Sequence, residues 1–129
     1  PAGSAGAQGP RGIVSPRVQT LGGKTIDDGA GETSVLTSAV PAGSYLVTAK
    51  ATLESPDDDR MACSLLNGAT QVDNIQWDTP VVDAGGTSAP VTLTGVATVT
   101  NGPLSIECSK DGTGDGSASD VKLIAVPIG

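Results

Sequence analysis

The sequence predicts an all-β fold, an antiparallel β-sandwich of eight or so short strands, on three observations. Turn signals built on Gly, Pro, Asn and Asp recur about every ten residues. Between them, alternate residues are apolar, the mark of a strand with one buried face. The 18 Gly and 9 Pro also leave no uninterrupted window for a long helix. Phe and His are absent and the large aromatics are Tyr45 and Trp77 alone. The core must then be assembled from Val, Leu, Ile, Ala and Thr, which suit a pleated surface. A chain of 129 residues supplies one such domain.

Taken in order, residues 13–21 read as a first strand interrupted at Ser15-Pro16, as at an edge or a bulge. Residues 22–32, rich in Gly and acidic side chains, read as a loop. A short strand at 33–40 ends in the turn Pro41-Ala42-Gly43. Segment 44–54 places Tyr45, Val47, Ala49, Ala51 and Leu53 on one face, and Thr48, Lys50, Thr52 and Glu54 on the other. After a loop at 55–59, segment 60–66 aligns Met61, Cys63 and Leu65. Asn67-Gly68 predicts a type I′ hairpin into 69–77. A loop with Pro80 and Gly85-Gly86 leads to 89–100, where Val91, Leu93, Gly95, Ala97 and Val99 alternate with Thr92, Thr94, Val96, Thr98 and Thr100. Asn101-Gly102 turns the chain into 104–109, with Leu104, Ile106 and Cys108 in phase. A Gly/Asp/Ser loop covers 110–120, and the last strand, 121–128, is apolar on both faces, as a central or interface strand should be. A sandwich or jelly roll accommodates this order.

Residues 1–12 stand apart. Gly3, Gly6, Gly9 and Gly12 fall on a strict period of three, which a collagen triple helix requires because only Gly fits at its axis. A flexible Gly/Ala linker is the competing reading, but such a linker has no use for Gln8, Pro10 and Arg11. The expected division is a collagen-like stalk at 1–12, the trailing end of a longer repeat, and a β-rich head at 13–129. A triple helix needs three chains in register, so the head is expected to be a threefold homotrimer.

The residues Pro41-Ala42-Gly43-Ser44-Tyr45-Leu46-Val47-Thr48-Ala49-Lys50-Ala51, the strand with Cys63 before Leu65, the strand Leu104-Ser105-Ile106-Glu107-Cys108 and the closing Leu123-Ile124-Ala125-Val126 carry a resemblance. A Gly-X-Y stretch running into such a head resembles the complement C1q and tumour-necrosis-factor-like jelly rolls. It is more similar still to the C-terminal heads of bacterial collagen-like proteins. The resemblance implies trimerisation of the stalk and a secreted, cell-surface or virion-surface location. It also implies, in some members, binding of a glycan or protein receptor by the head.

Cys63 and Cys108 lie in phase with the apolar residues of their own strands, compatible with one disulfide or with two buried thiols. The resemblance to exported heads favours the disulfide. The segment 111–119 places oxygen-bearing side chains at alternate positions around a Gly, as the first part of an EF-hand loop does. That makes Asp111, Thr113 and Asp115 candidate calcium ligands, with Asp27-Asp28 and Asp57-Asp58-Asp59 as further donors. Against this, Lys122 stands where a bidentate Glu is needed and strands flank the loop, as in an ordinary solvated hairpin. No other cofactor is expected. Trp77 with Asp78 and Gln76 resembles a sugar-stacking platform, the alternative being a Trp that fills core or interface.

No catalytic constellation emerges. Without His there is no Ser-His or Cys-His pair, and Gly29-Ala30-Gly31 and Gly112-Thr113-Gly114 precede no helix that would hold a phosphate. The net charge is −7, and Arg11, Arg17, Lys24, Lys50, Arg60, Lys110 and Lys122 are scattered singly, which argues against nucleic acid. No run of about 18 apolar residues points to membrane insertion. The expected function is non-enzymatic: a trimerisation and registration head on the collagen-like stalk of a surface or secreted structural protein. The alternative is the receptor- or glycan-binding tip of an adhesin or phage fibre.

Overall fold

The computed structural model describes residues 16–27, 31–55, 60–78, 87–111 and 114–128. Eight strands run in the order β1 (Arg17–Ile26), β2 (Thr33–Ser38), β3 (Gly43–Ser55), β4 (Arg60–Asn67), β5 (Thr70–Asp78), β6 (Thr87–Val99), β7 (Leu104–Lys110) and β8 (Gly116–Pro127). They form two antiparallel four-stranded sheets, β1-β8-β3-β6 and β2-β7-β4-β5. Every connection except β4–β5 passes from one sheet to the other, which is the winding of a jelly roll. The expected antiparallel β-sandwich is the fold of the chain.

Alternation decides which face each strand buries. Tyr45, Val47, Ala49, Ala51 and Leu53 of β3 are buried, as are Met61, Cys63 and Leu65 of β4. From β6 come Val91, Leu93, Ala97 and Val99, and from β7 Leu104, Ile106 and Cys108. Among the described side chains Tyr45 is the one aromatic of this core, and its part-buried hydroxyl donates to the Pro41 carbonyl at 2.7 Å. The remaining core is aliphatic or sulfur-bearing, as the composition requires.

Four expectations change. The loop at 22–32 shrinks, because Gly22–Ile26 completes β1 by pairing with β8 from Ser119 to Gly116. The loop at 110–120 shrinks with it, Lys110 belonging to β7 and residues 116–120 to β8. Gly-rich, polar stretches looked like loops, yet residues 23–26 and 116–119 pair with each other residue by residue. The β4–β5 hairpin places Gly68, at φ +60°, and Ala69 between the paired residues Asn67 and Thr70. Glycine at the first central position is the arrangement of a type II′ loop rather than type I′. Asn101-Gly102 makes no hairpin at all, since β6 and β7 lie in different sheets.

The last strand is central in its sheet, between β1 and β3. Val121, Leu123 and Ala125 point into the core, while Val126 and Ile128 are exposed. Its register against β3 shifts by one between Lys50 and Thr52, so Asp120 and Val121 together face Ala51. Asp120 takes φ +50°, a left-handed conformation that Asp tolerates better than most residues.

One side of the sandwich is closed by β5 folding over the edge of β6. The Thr94 amide donates to Asp73 Oδ2 at 2.9 Å, and Asn67 Nδ2 donates to the Thr98 carbonyl at 2.8 Å. Val72 packs where a Cβ on Gly95 would stand, 2.5 Å from its Cγ1. Gly95→Val is therefore expected to cost about 1–3 kcal/mol, as overpacking does. The cost should shrink in a Val72→Ala background. Denaturant unfolding of the four proteins checks this, and equal costs in both backgrounds would show that the contact does not matter.

Candidate functional site

Cys63 and Cys108 occupy directly opposed positions on β4 and β7, with their Cα atoms 4.1 Å apart, and they form a disulfide. No free cysteine remains among the described residues. Of the two states left open by the residues alone, one disulfide or two buried thiols, the structure has the disulfide. It lies within the sandwich core and ties neighbouring strands of one sheet rather than joining the two sheets.

Of the candidate ligand residues, Trp77, Asp78 and Asp111 lie at one end of the same sheet. Trp77 and Asp78 close β5 in register with Met61 and Arg60. The Asp111 amide donates to the Arg60 carbonyl at 2.9 Å, so Arg60 lies between the ends of β5 and β7. Asp111 and Asp115 are exposed on either side of the β7–β8 connection. Among the described residues, no three Cys, Asp or Glu side chains come together as a metal site. Thr113, Asp28, Asp57, Asp58 and Asp59 lie outside the described residues, and so do Gly3, Gly6, Gly9 and Gly12 of the expected stalk. Ser117, counted as an oxygen donor of the loop, is in β8 and bonds to Glu54 Oε2 at 3.3 Å.

A second feature was not legible in the sequence. Across the outer face of β1-β8-β3-β6 runs the row Thr20, Lys122, Lys50, Thr92, each residue directly opposite the next. Two lysines thus stand directly opposite each other on β3 and β8, a like-charge pairing that costs stability. They line an open groove of about 580 Å³ together with Asp120 and Pro90. The groove presents lysine and threonine donors to an acceptor-bearing group and no His or Cys. Lys50 was visible as an outward residue of its strand, but its partner depends on the β3–β8 register.

The outer face of the other sheet carries an acidic groove of about 520 Å³, where Glu32 and Glu107 lie with Ser64 and Gln71. Burial raises the Glu32 carboxyl above its ordinary range, and the Glu107 charge adds to the rise. A carboxyl whose pKa rises on folding binds its proton more tightly in the native state, so its ionisation opposes folding. Stability is lost as pH rises through its folded value and recovered as pH falls below it. Glu32→Gln should therefore raise the melting temperature at neutral pH and leave it unchanged where the Glu32 carboxyl is protonated in both the folded and the unfolded parent, near pH 3. The disulfide yields a separate expectation. Titration of the unfolded, unreduced chain should find no thiol, and Cys63→Ser with Cys108→Ser should lose about 4 kcal/mol for the 45-residue separation.

No family model matches the sequence, and no curated protein matches it. Solved structures do match in fold. A chain of infectious bursal disease virus, Gx strain, superposes with a TM-score of 0.55 at 15% identity, over 90% of this chain and 34% of that one. The VP2 subviral particle of infectious bursal disease virus gives 0.54 at 14% identity, over 87% of this chain and 33% of the other. The Stig cyclase Fisc from Fischerella sp. TAU, in complex with an indole compound, gives 0.52 at 18% identity, over 76% of this chain and 56% of that chain. The chain thus spans about a third of the virus chains it resembles and just over half of the cyclase. At these identities the likeness is one of fold: an all-β, jelly-roll-like sandwich shared with virus proteins and with a cyclase.

Proposed function

We propose that the chain is a non-enzymatic structural head that trimerises and registers a collagen-like stalk. The observation that carries this reading is the spacing between two segments. Four Gly-X-Y triplets end at Gly12, and β1 begins five residues later at Arg17. Three chains wound at Gly12 would bring three heads within a few residues of one axis, where a rigid sandwich can hold them in register. The disulfide supports a secreted or surface location, since such bonds persist in oxidising compartments. The bursal-disease-virus neighbours belong to virus particles, which supports a structural role for this fold at a surface. No cofactor is needed for this role.

The test is the mass in solution of the whole 129-residue chain. A homotrimer, three times 12.6 kDa, is expected at micromolar concentration by analytical ultracentrifugation. A species of 12.6 kDa across that range would overturn the reading.

A further inference from the structure

The five large hydrophobic side chains exposed among the described residues are Val18, Leu46, Val96, Val126 and Ile128, and they are 36–62% exposed. They lie on one face of one sheet. Leu46 of β3 stands directly opposite Val96 of β6 on one side and Val126 of β8 on the other, a row of three across about 10 Å of sheet. One step along β8 in the same phase, Ile124 stands opposite Val18 of β1. Ile128 continues β8, its amide donating to the Ser44 carbonyl. The inward faces of these strands are filled by the core, and among the described residues no side chain buries this outer patch.

We infer that this outer face of β1-β8-β3-β6 is the surface through which three copies of the chain meet. The inference rests on the trimer reading above and adds which face is used. Three observations select a second copy as the occupant. The patch lies at the end of the sheet where β1 begins, and Val18 is the second residue of that strand. The five residues from Gly12 to Arg17 reach at most about 17 Å, so a triple helix ending at Gly12 holds each patch close to its two copies. Tethering of that kind raises the local concentration of each copy to the millimolar range, about that of short flexible linkers.

Symmetry supplies the second reason. Residues that face a threefold axis meet their own copies, so a patch there must be compatible with itself. Two like-charged rows would repel, whereas Leu46, Val96, Val126, Ile124 and Val18 are uncharged and apolar. Charge is the third reason. Each chain carries −7, so bringing three together is opposed over most of the surface. The rows Val126-Leu46-Val96 and Val18-Ile124-Thr48-Thr94 contain no ionisable side chain, and the first charged row, with Lys122 and Lys50, comes only after them. Association is then driven by apolar burial where repulsion is least.

The test compares the whole chain with Leu46→Glu, Val96→Glu and, on the outer face of the opposite sheet, Gln71→Glu. Ultracentrifugation at micromolar concentration should find trimers for the parent and Gln71→Glu, and monomers for the other two. Their cooperative thermal melts should persist, because both positions are exposed. Hydroxyl-radical footprinting of the unaltered trimer gives a second readout that needs no variant. Leu46, Val96 and Val126 should be protected well below their exposure in the single chain. A parent trimer that survives both glutamates, or that leaves these three side chains reactive, overturns the assignment and leaves the patch to another partner. A monomeric parent instead overturns the trimer reading itself.

Discussion

Because β8 lies between β1 and β3, the phase of its side chains decides whether the larger sheet can close over the smaller one. Gly116 and Ala118 are buried at one end of the strand, and Val121, Leu123 and Ala125 at the other. An unbroken strand of period two would send Ala118 and Val121 to opposite faces. The bulge at Asp120 inserts the one residue that brings both halves inward. Gly116 is equally constrained, since a Cβ there would stand 2.9 Å from the Glu54 carbonyl oxygen and 2.8 Å from Met61 Cε. Register along β1 and β3 follows from β8, and with it every row on the outer face.

A chain with one Tyr, one Trp and no Phe has little large-area aromatic packing to draw on. Covalent and polar ties at the margins accompany the aliphatic interior. The disulfide fixes β4 to β7 in the middle of the smaller sheet. At the open edge of β6, Asp73 accepts from the Thr94 amide and Asn67 donates to the Thr98 carbonyl. Exposed sheet edges invite pairing with other chains, and these two side chains occupy backbone groups that such pairing would use.

The jelly roll separates two ends of the head. β1 begins at one end, close to the C-terminal half of β8, and the apolar rows lie there. The ends of β5 and β7, with Trp77, Asp78 and Asp111, lie at the other, next to the start of β4. Holding copies together and contacting an outside partner would thus fall on different parts of one small domain. The Lys50–Lys122 row lies on the same outer face as the apolar rows, one step further from the start of β1.

Much of this was legible from residue order alone. Alternation in 44–54 and 89–100 identified the buried faces of β3 and β6, because side chains of a strand point to opposite sides whatever the strand pairs with. The same rule placed Cys63 and Cys108 inside. It could not say that they face each other, since opposition depends on β4 and β7 being neighbours. Gly22-Gly23 and 116–120 looked like loops because Gly, Ser and Asp favour turns, and only the two-sided pairing of β8 overrode that preference. By itself, then, the sequence determined a glycine period of three at 1–12, an all-β fold and the inward residues of β3, β4, β6 and β7, while Ile26 and Ala118 of the core lay in segments that read as loops. Tertiary structure alone decided the strand order, the disulfide's partners and the gathering of Val18, Leu46, Val96 and Val126 on one face. Inward or outward facing is a local property of the backbone, whereas adjacency between strands far apart in the chain is set by the winding of the whole sandwich.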